Sequence, residues 1–140
     1  MACRAHLGEV QASYDQIRAL DSEVLVISFD SPEQVNVYRQ SNDFPFPVLS
    51  DPERNSYQTL GIHRTSWKTM LKLDVMGRYL KLMICGWLPP SKIKMSDVYQ
   101  LGGDVIVDAQ CRLIYQFRSH DPSRRPAVCD LIKALRKIGI

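Results

Sequence analysis

The stretch LGGDVIVDAQCRLIYQFRS, residues 101–119, predicts one β-hairpin. Residues 104–107 and 113–117 are rich in β-branched and aromatic side chains, and turn chemistry separates them. Both faces of the first strand are apolar, which is typical of a strand covered by other elements on both sides. The pair Gly102-Gly103 directly before it indicates either a close approach of the backbone to another group or a positive φ.

The rest of the chain alternates helical and extended patterns, which predicts a layered α/β domain. The clearest helix start is SPEQ, because Ser31 caps the helix, Pro32 takes its first position and Gln34 closes a capping box. The predicted elements are a helix over residues 3–20, a buried strand over 24–29, a helix over 31–41, a short edge strand over 47–49, a helix over 51–61, the hairpin, and a helix over 127–138.

The length and composition are those of one globular domain over residues 1–140, with 45% apolar and 24% charged residues. No apolar run reaches ~18 residues, so we expect no transmembrane helix, and the N-terminus lacks the apolar core of a signal peptide. The four cysteines are Cys3, Cys85, Cys111 and Cys129. They are widely spaced and form no metal-site pattern. We therefore expect reduced thiols, a cytoplasmic location, and neither a metal nor another cofactor.

A helical insertion at about residues 64–96 differs in character from the rest of the chain. Seven Lys or Arg and one Asp lie between Arg64 and Lys94, although the whole chain carries only +3 and so gives no indication of nucleic-acid binding. Apolar and aromatic residues recur at helical spacing from Met76 to Trp87. This amphipathic segment suits a lid over the active-site side, a dimer surface, a membrane-surface helix, or a helix packed on its own domain.

Four fragments, in this order and spacing, carry a resemblance to a known family. They are CRAHLGEV, FPFPVLSDPERNSYQTLGI, GRYLKLMICGW and QLGGDVIVDAQCRLIYQFRSHDPSRRP. Together they resemble the peroxiredoxin-like branch of the alkyl hydroperoxide reductase/thiol-specific antioxidant (AhpC/TSA) family. The resemblance implies a thioredoxin-like three-layer α/β fold with a mixed sheet and helices on both faces.

The family begins with a central strand that runs into a Cys-x-x-Cys or related motif at a helix N-terminus. Cys3-Arg4 matches the second cysteine and the basic residue after it, so the first cysteine and the N-terminal strand or strands are missing from the match. The strands over 24–29 and 104–107 then either pair directly or leave open edges that favour self-association. Gly103 takes the place of the family's cis-proline.

The resemblance implies a thiol-based antioxidant oxidoreductase that reduces a peroxide or a disulfide and is itself reduced by a thiol. Cys3 is the expected nucleophile, because a helix N-terminus and a nearby Arg4 favour the thiolate. Arg118 is the expected assisting residue, and Arg4, Gly102 and Gly103 are the expected substrate-binding residues. The alternative is a redox-inactive thioredoxin-like binding or regulatory domain, or a truncated family member.

Several residues keep a structural interpretation beside the functional one. An alternative role for Cys3 is that of a buried small residue. An alternative for Arg118 is an ion pair with Asp121. His6, one turn after Cys3, suits either a base that acts on the thiol or a solvated helix residue. Cys85 and Cys129 are expected to be structural. Cys111 ends a turn in which the family commonly has Gly, so we expect it in the left-handed region, within a G1 bulge.

Overall fold

The structure is a computed structural model that describes residues 2–65, 80–81, 84, 100–120 and 124–138. Helices and strands follow one another in the predicted order. They are α1 (Ala2–Ala12), α2 (Tyr14–Arg18), β1 (Val26–Ser28), α3 (Pro32–Ser41), β2 (Val48–Ser50), α4 (Asn55–Thr59), β3 (Gly103–Val107), β4 (Leu113–Arg118) and α5 (Val128–Ile138). The predicted single helix over residues 3–20 is divided at Ser13 into α1 and α2.

The core lies where α1, α2 and α5 contact one another. Its buried side chains are Val10, Ile17, Phe46, Val128 and Ile132. Fully burying an aliphatic or aromatic side chain of this kind stabilises a fold by roughly 1.5–3 kcal/mol. The core of the described chain is therefore formed mainly by the apolar faces of these helices, with Phe46 added from the segment before β2.

Helix α3 begins with the predicted capping box. The Ser31 hydroxyl accepts a hydrogen bond from the Gln34 backbone N–H, and the Ser31 N–H donates to Gln34 Oε1. Pro32 occupies the first turn, where its missing N–H costs nothing. The predicted end at Ser41 is also confirmed.

Strands β1 and β2 pair in parallel, with Val26 opposite Val48. The prediction that residues 24–29 form a strand buried on both sides is wrong: β1 is only half-buried, and the neighbouring Leu25 is 54% exposed. The physical reason is that β1 has one paired neighbour in the described part of the chain. The backbone of Ile27 points away from β2, and its carbonyl accepts a hydrogen bond from the Tyr57 hydroxyl instead of from another strand.

Helix α4 starts later than the sequence predicts. Arg54 adopts a left-handed conformation with φ of 59°, and the helix begins only at Asn55. The Asp51 carboxylate accepts hydrogen bonds from the backbone N–H groups of Asn55 and Ser56, so it caps the helix from four residues upstream. The hydrogen bond from the Ser56 hydroxyl is the main cause that lowers the pKa of Asp51.

The predicted end of α4 at Gly61 is confirmed. Gly61 has φ of 63°, its N–H donates to the Gln58 carbonyl, and the N–H of Ile62 donates to the Tyr57 carbonyl. These two bonds form a Schellman motif, in which glycine is favoured because it has no Cβ. The turn directs the chain toward residues 100–101, where the Leu101 N–H donates to the His63 carbonyl.

Strands β3 and β4 form the predicted antiparallel hairpin. Cys111 has φ of 60°, and the register shifts between Ile106 and Val107, as a bulge at the turn requires. The Asp108 carboxylate accepts from the backbone N–H groups of Gln110 and Arg112. The bond from the Arg112 N–H is the main cause that lowers the pKa of Asp108.

Among the described residues, the two strand pairs are separate two-stranded sheets. Strand β3 is therefore half-buried rather than covered on both faces as predicted, and Val107 is exposed. Direct pairing between the strands over 24–29 and 104–107, one of the two predicted arrangements, does not occur.

Most of the predicted insertion, including Cys85, lies outside the described residues. Two members of its predicted stripe are described: Leu80 and Ile84 are helical, 58% and 77% exposed. None of the helices that the structure describes has the length and apolar character needed to cross a membrane.

We expect Cys111→Gly to be neutral or mildly stabilising. A non-glycine residue in the left-handed region is strained by on the order of 1 kcal/mol, and the extra unfolded-state entropy of glycine offsets part of the relief. The melting temperature should stay the same or rise by up to about 4 °C. A clear fall in the melting temperature would contradict the strain argument.

We also expect the 140-residue chain to have low stability or to self-associate, because each described sheet has two strands, whose outer edges pair with no other described strand. Thermal unfolding followed by circular dichroism, with the mass measured by light scattering, tests this. A monomer that melts cooperatively above about 65 °C, the upper range for mesophilic domains, would contradict the prediction.

Candidate functional site

The start of β3 places different side chains on the two faces of the hairpin. Gly103 lies opposite Arg118 and Asp104 lies opposite Phe117 in the strand register. Because side chains alternate along a strand, Gly102 and Asp104 share one face, and Gly103 shares the other with Arg118. The two faces carry different chemistry.

On the first face, His6 from α1 reaches Asp104. Its Nε2 lies 2.9 Å from Asp104 Oδ1, and the imidazole is only 8% exposed. Of the two interpretations of His6, the solvated helix residue is therefore wrong, because the ring turns inward to a carboxylate. An ionised carboxylate only accepts hydrogen bonds, so Nε2 is the donor in this pair.

Arg125 completes a charged cluster with His6 and Asp104. Its Nη1 lies 3.8 Å from Asp104 Oδ2, and both side chains are largely buried. A Cβ on Gly102 would overlap the Arg125 guanidinium. The close approach predicted for Gly102 is therefore real, and it makes room for a cation of this chain.

Tyr115 lies on the same face as Asp104. Burial raises the pKa of its phenol, and the charges of Asp104 and Asp130 raise it further. The phenol consequently stays protonated at neutral pH, so a polar O–H group lies on the same face as the charged cluster.

On the second face, Arg118 is fixed by two hydrogen bonds. Its Nε donates to the Leu60 carbonyl at 2.9 Å, and its Nη2 donates to Gln116 Oε1 at 3.0 Å. The guanidinium lies against Gly61, whose Cβ would come within 3.1 Å of Arg118 Cζ. Gly103 packs on this face too, where its Cβ would meet Ile62.

The structure thus divides the predicted site residues between the two faces. Cys3 is in the first turn of α1, the helix that provides His6. The Arg4 guanidinium lies 4.8 Å from the centre of the Tyr38 ring on α3. Arg118 points to the face opposite Asp104 and His6, and its predicted ion-pair partner Asp121 lies outside the described residues.

Sequence reasoning missed Asp104 and Arg125. The signal was present in GGDVIV, because a carboxylate within an otherwise apolar strand needs a partner when it is buried. The sequence alone does not identify the partners. They are His6, 98 positions upstream, and Arg125, 21 positions downstream in the loop before α5.

The remaining described cysteines are exposed free thiols. Cys111 lies at the hairpin turn, and Cys129 lies in the first turn of α5. Cys129, which is expected to be structural, does not contribute to the core, because the buried face of α5 is formed by Val128, Leu131 and Ile132. No group of three or more His, Cys, Asp or Glu within the described ranges is arranged to hold a metal ion.

Comparison with known proteins identifies the family of the chain. A family model described as "AhpC/TSA antioxidant enzyme" matches residues 9–121, more than half of the chain. Peroxiredoxin bcp1 of Schizosaccharomyces pombe is 35% identical over 52 residues, which are 37% of this chain and 27% of that protein. The match thus spans about a quarter of the length of that relative. With its mixed helices and strands, the chain belongs to the AhpC/TSA antioxidant enzyme family and has the α/β architecture of a thioredoxin-like fold.

Proposed function

We propose that this chain is a thiol-based antioxidant oxidoreductase that reduces a peroxide, with Cys3 as the nucleophile. The observation that carries the proposal is the buried His6, which follows Cys3 by one helical turn and is held by Asp104. Family membership supports the thiol-based antioxidant chemistry. Family membership does not identify the reacting cysteine, which we infer from the residues of this chain.

The position of Cys3 suits a nucleophile for two reasons. The free N–H groups and the macrodipole at the start of a helix favour the thiolate over the thiol. Residues three apart also share one face of a helix, and helical side chains lean toward the N-terminus. His6 therefore extends toward the turn that contains Cys3.

His6 supplies a base in this arrangement. With Nε2 donating to Asp104 Oδ1, the neutral imidazole leaves Nδ1 as the acceptor for a proton from the Cys3 thiol. A carboxylate that fixes the tautomer of a histidine, which in turn activates a nucleophile, is a general arrangement in covalent catalysis. Arg125 lies on the other side of the same carboxylate, with its Nη1 3.8 Å from Asp104 Oδ2.

Each turnover reduces one peroxide and oxidises two molecules of thiol. The Cys3 thiolate attacks one peroxide oxygen and the O–O bond breaks, which gives a sulfenic acid and an alkoxide that takes up the proton held by His6. Sulfur loses two electrons and the peroxide gains them. One molecule of a thiol then forms a mixed disulfide and releases water, and a second releases the reduced Cys3 with a disulfide as the product.

The other predicted site residues contact neighbouring parts of the chain. They are Arg4, Gly102, Gly103 and Arg118. Arg4 keeps its positive charge one residue from Cys3, although its guanidinium rests on Tyr38. Gly102 and Gly103 accommodate protein side chains on both faces, so their role in substrate binding stays a prediction. The assistance of Arg118 to Cys3 also stays a prediction.

We expect Cys3 to be the most acidic thiol of the chain. Alkylation followed by peptide mass spectrometry across pH should give Cys3 an apparent pKa below the ordinary ~8.5. Cys3→Ser should abolish peroxide consumption, whereas Cys111→Ser and Cys129→Ser, which remove exposed thiols, should retain it. Unchanged peroxide consumption by Cys3→Ser would exclude Cys3 as the nucleophile.

We expect Asp104→Asn to slow the alkylation of Cys3 at neutral pH and to move its apparent pKa toward ~8.5. An amide no longer fixes the tautomer of His6 or carries the charge. Asp130→Asn, which removes an exposed carboxylate that pairs with Lys133 on the surface of α5, is the matched control and should leave the profile unchanged. Asp104→Glu should restore part of the rate. If Asp104→Asn lowers the melting temperature but leaves the profile of Cys3 unchanged, the pair has a structural role alone.

A further inference from the structure

The phenol of Tyr14 is bonded to a carboxylate at a place in the fold separate from Asp104. Tyr14 begins α2, and Glu23 lies in the segment between α2 and β1. The Tyr14 hydroxyl donates a hydrogen bond to Glu23 Oε1 at 2.6 Å. This distance is typical of the strong bonds that a hydroxyl forms with a charged acceptor. A weak acid and a base are therefore already in contact.

Other donors hold the Glu23 carboxylate in place. Its Oε1 also accepts from the backbone N–H of Val24, and its Oε2 accepts from Arg18 Nη1. The hydrogen bond from Tyr14 is the main cause that lowers the pKa of Glu23. The same bond is the main cause that raises the pKa of the Tyr14 phenol. At neutral pH the phenol consequently keeps its proton, and the carboxylate is ionised and ready to accept it.

The ring of Tyr14 is anchored at the core, whereas its hydroxyl group lies in an exposed part of the surface. The ring packs edge-on against Phe46, with the two centroids 5.5 Å apart, and Phe46 is a buried core residue. The side chains of Glu23 and Arg18 are 51% and 54% exposed. The donor and the acceptor are thus oriented in advance, which reduces the rearrangement that a proton transfer requires, and a dissolved reagent can approach them.

A structural role alone does not require a base at this place. The bond from Tyr14 to Glu23 links α2 to the segment before β1. A neutral carbonyl is sufficient for such a link, since the Tyr57 hydroxyl donates to the carbonyl of Ile27 in the same way. What a carboxylate adds to the link is the ability to accept the proton of the phenol.

We propose that Tyr14 is a site of one-electron oxidation at which Glu23 accepts the phenol proton. A one-electron oxidant takes an electron from the ring, the O–H bond breaks, and the proton passes to the Glu23 carboxylate. The products are a neutral phenoxyl radical, a protonated Glu23 and the oxidant reduced by one electron. An oxidised phenol is a far stronger acid than a carboxylic acid, so the proton transfer remains favourable although the pKa of Glu23 is lowered.

The radical leads to a defined covalent modification. Two Tyr14 phenoxyl radicals on two copies of the chain form one carbon–carbon bond between their rings, and the hydrogens displaced from the ring carbons return to the two phenol oxygens. The product is dityrosine, and this step needs no further oxidant. Tyr14 follows Cys3 by roughly three helical turns, so the site does not rest on the reaction proposed for Cys3.

The test exposes the full chain to a limiting amount of hexachloroiridate(IV), which accepts one electron and no proton. The tryptic peptides over residues 5–18 and 113–118 each contain one tyrosine, Tyr14 or Tyr115, and no cysteine, methionine or tryptophan. Tyr115 is half-buried, as Tyr14 is, and forms no hydrogen bond to a carboxylate of the described chain. Mass spectrometry should show the Tyr14 peptide consumed at least about tenfold faster than the Tyr115 peptide, as expected for a positioned base. The consumption should be slower in D₂O.

Glu23→Gln should slow the oxidation of Tyr14 by about tenfold or more, because an amide oxygen still accepts the hydrogen bond but does not take up the proton. Glu9→Gln, which removes an exposed carboxylate from α1, is the matched control and should leave the rate unchanged. The ratio between the two peptides should also be the same in Cys3→Ser, so a failure of the mechanism proposed for Cys3 would leave this result unaffected.

Equal consumption of the two peptides would overturn the proposal, and so would an oxidation rate of Tyr14 that Glu23→Gln does not change. The measurement in D₂O uses the unmodified chain, so it decides the question if Glu23→Gln impairs folding. Equal rates in H₂O and D₂O would show that the proton does not move with the electron and that the bond between Tyr14 and Glu23 has a structural role alone.

Discussion

The buried carboxylate of Asp104 is the constraint on which the arrangement of the described fold depends. Removing a carboxylate from water costs several kcal/mol unless hydrogen-bond donors or cations replace the water. Here the partners are His6 at 2.9 Å, from the first helix, and Arg125 at 3.8 Å, from the loop before the last helix. Satisfying one charge therefore fixes the position of α1 against β3. It also requires Gly102, because any side chain there would displace the Arg125 guanidinium.

The two faces of the hairpin have different electrostatic environments, which a list of charged residues would not distinguish. On the Asp104 face the charges are paired, and the imidazole of His6 has a defined hydrogen-bonding role. On the Arg118 face, the guanidinium is held by the Leu60 carbonyl and by Gln116. The alternation of side chains along β3 is the cause, because residues 103 and 104 point in opposite directions. The residues that we propose for proton transfer, His6 and Asp104, therefore lie on the face opposite Arg118.

The sequence predicted most of what local chemistry determines. The capping box at Ser31, the glycine end of α4 at Gly61 and the left-handed Cys111 each depend on a few neighbouring residues, and each is confirmed. The errors arose where distant contacts decide. The sequence leaves His6 open between a base and a solvated residue because Asp104 is 98 positions away. Apolar residues do not reveal how many neighbours a strand has, so they do not distinguish a strand covered on both faces from a half-buried one. The start of α4 was misplaced because Asp51 caps the helix from a distance, past a left-handed Arg54.

Because the two described strand pairs form separate sheets, the contact between His6 and Asp104 matters more for the position of α1. In a continuous sheet, backbone hydrogen bonds would hold β1 and β3 in one register, and a helix packed on that sheet would be aligned to both strands. Within the described residues no such ladder joins them, and the outward-facing carbonyl of Ile27 is bonded by a tyrosine hydroxyl instead. Among the described contacts, the hydrogen bond between His6 and Asp104 links α1 to β3. Apolar packing is non-directional, whereas a hydrogen bond has a preferred geometry. Because packing alone tolerates rotation and sliding of a helix, this bond constrains the orientation of α1 relative to the hairpin.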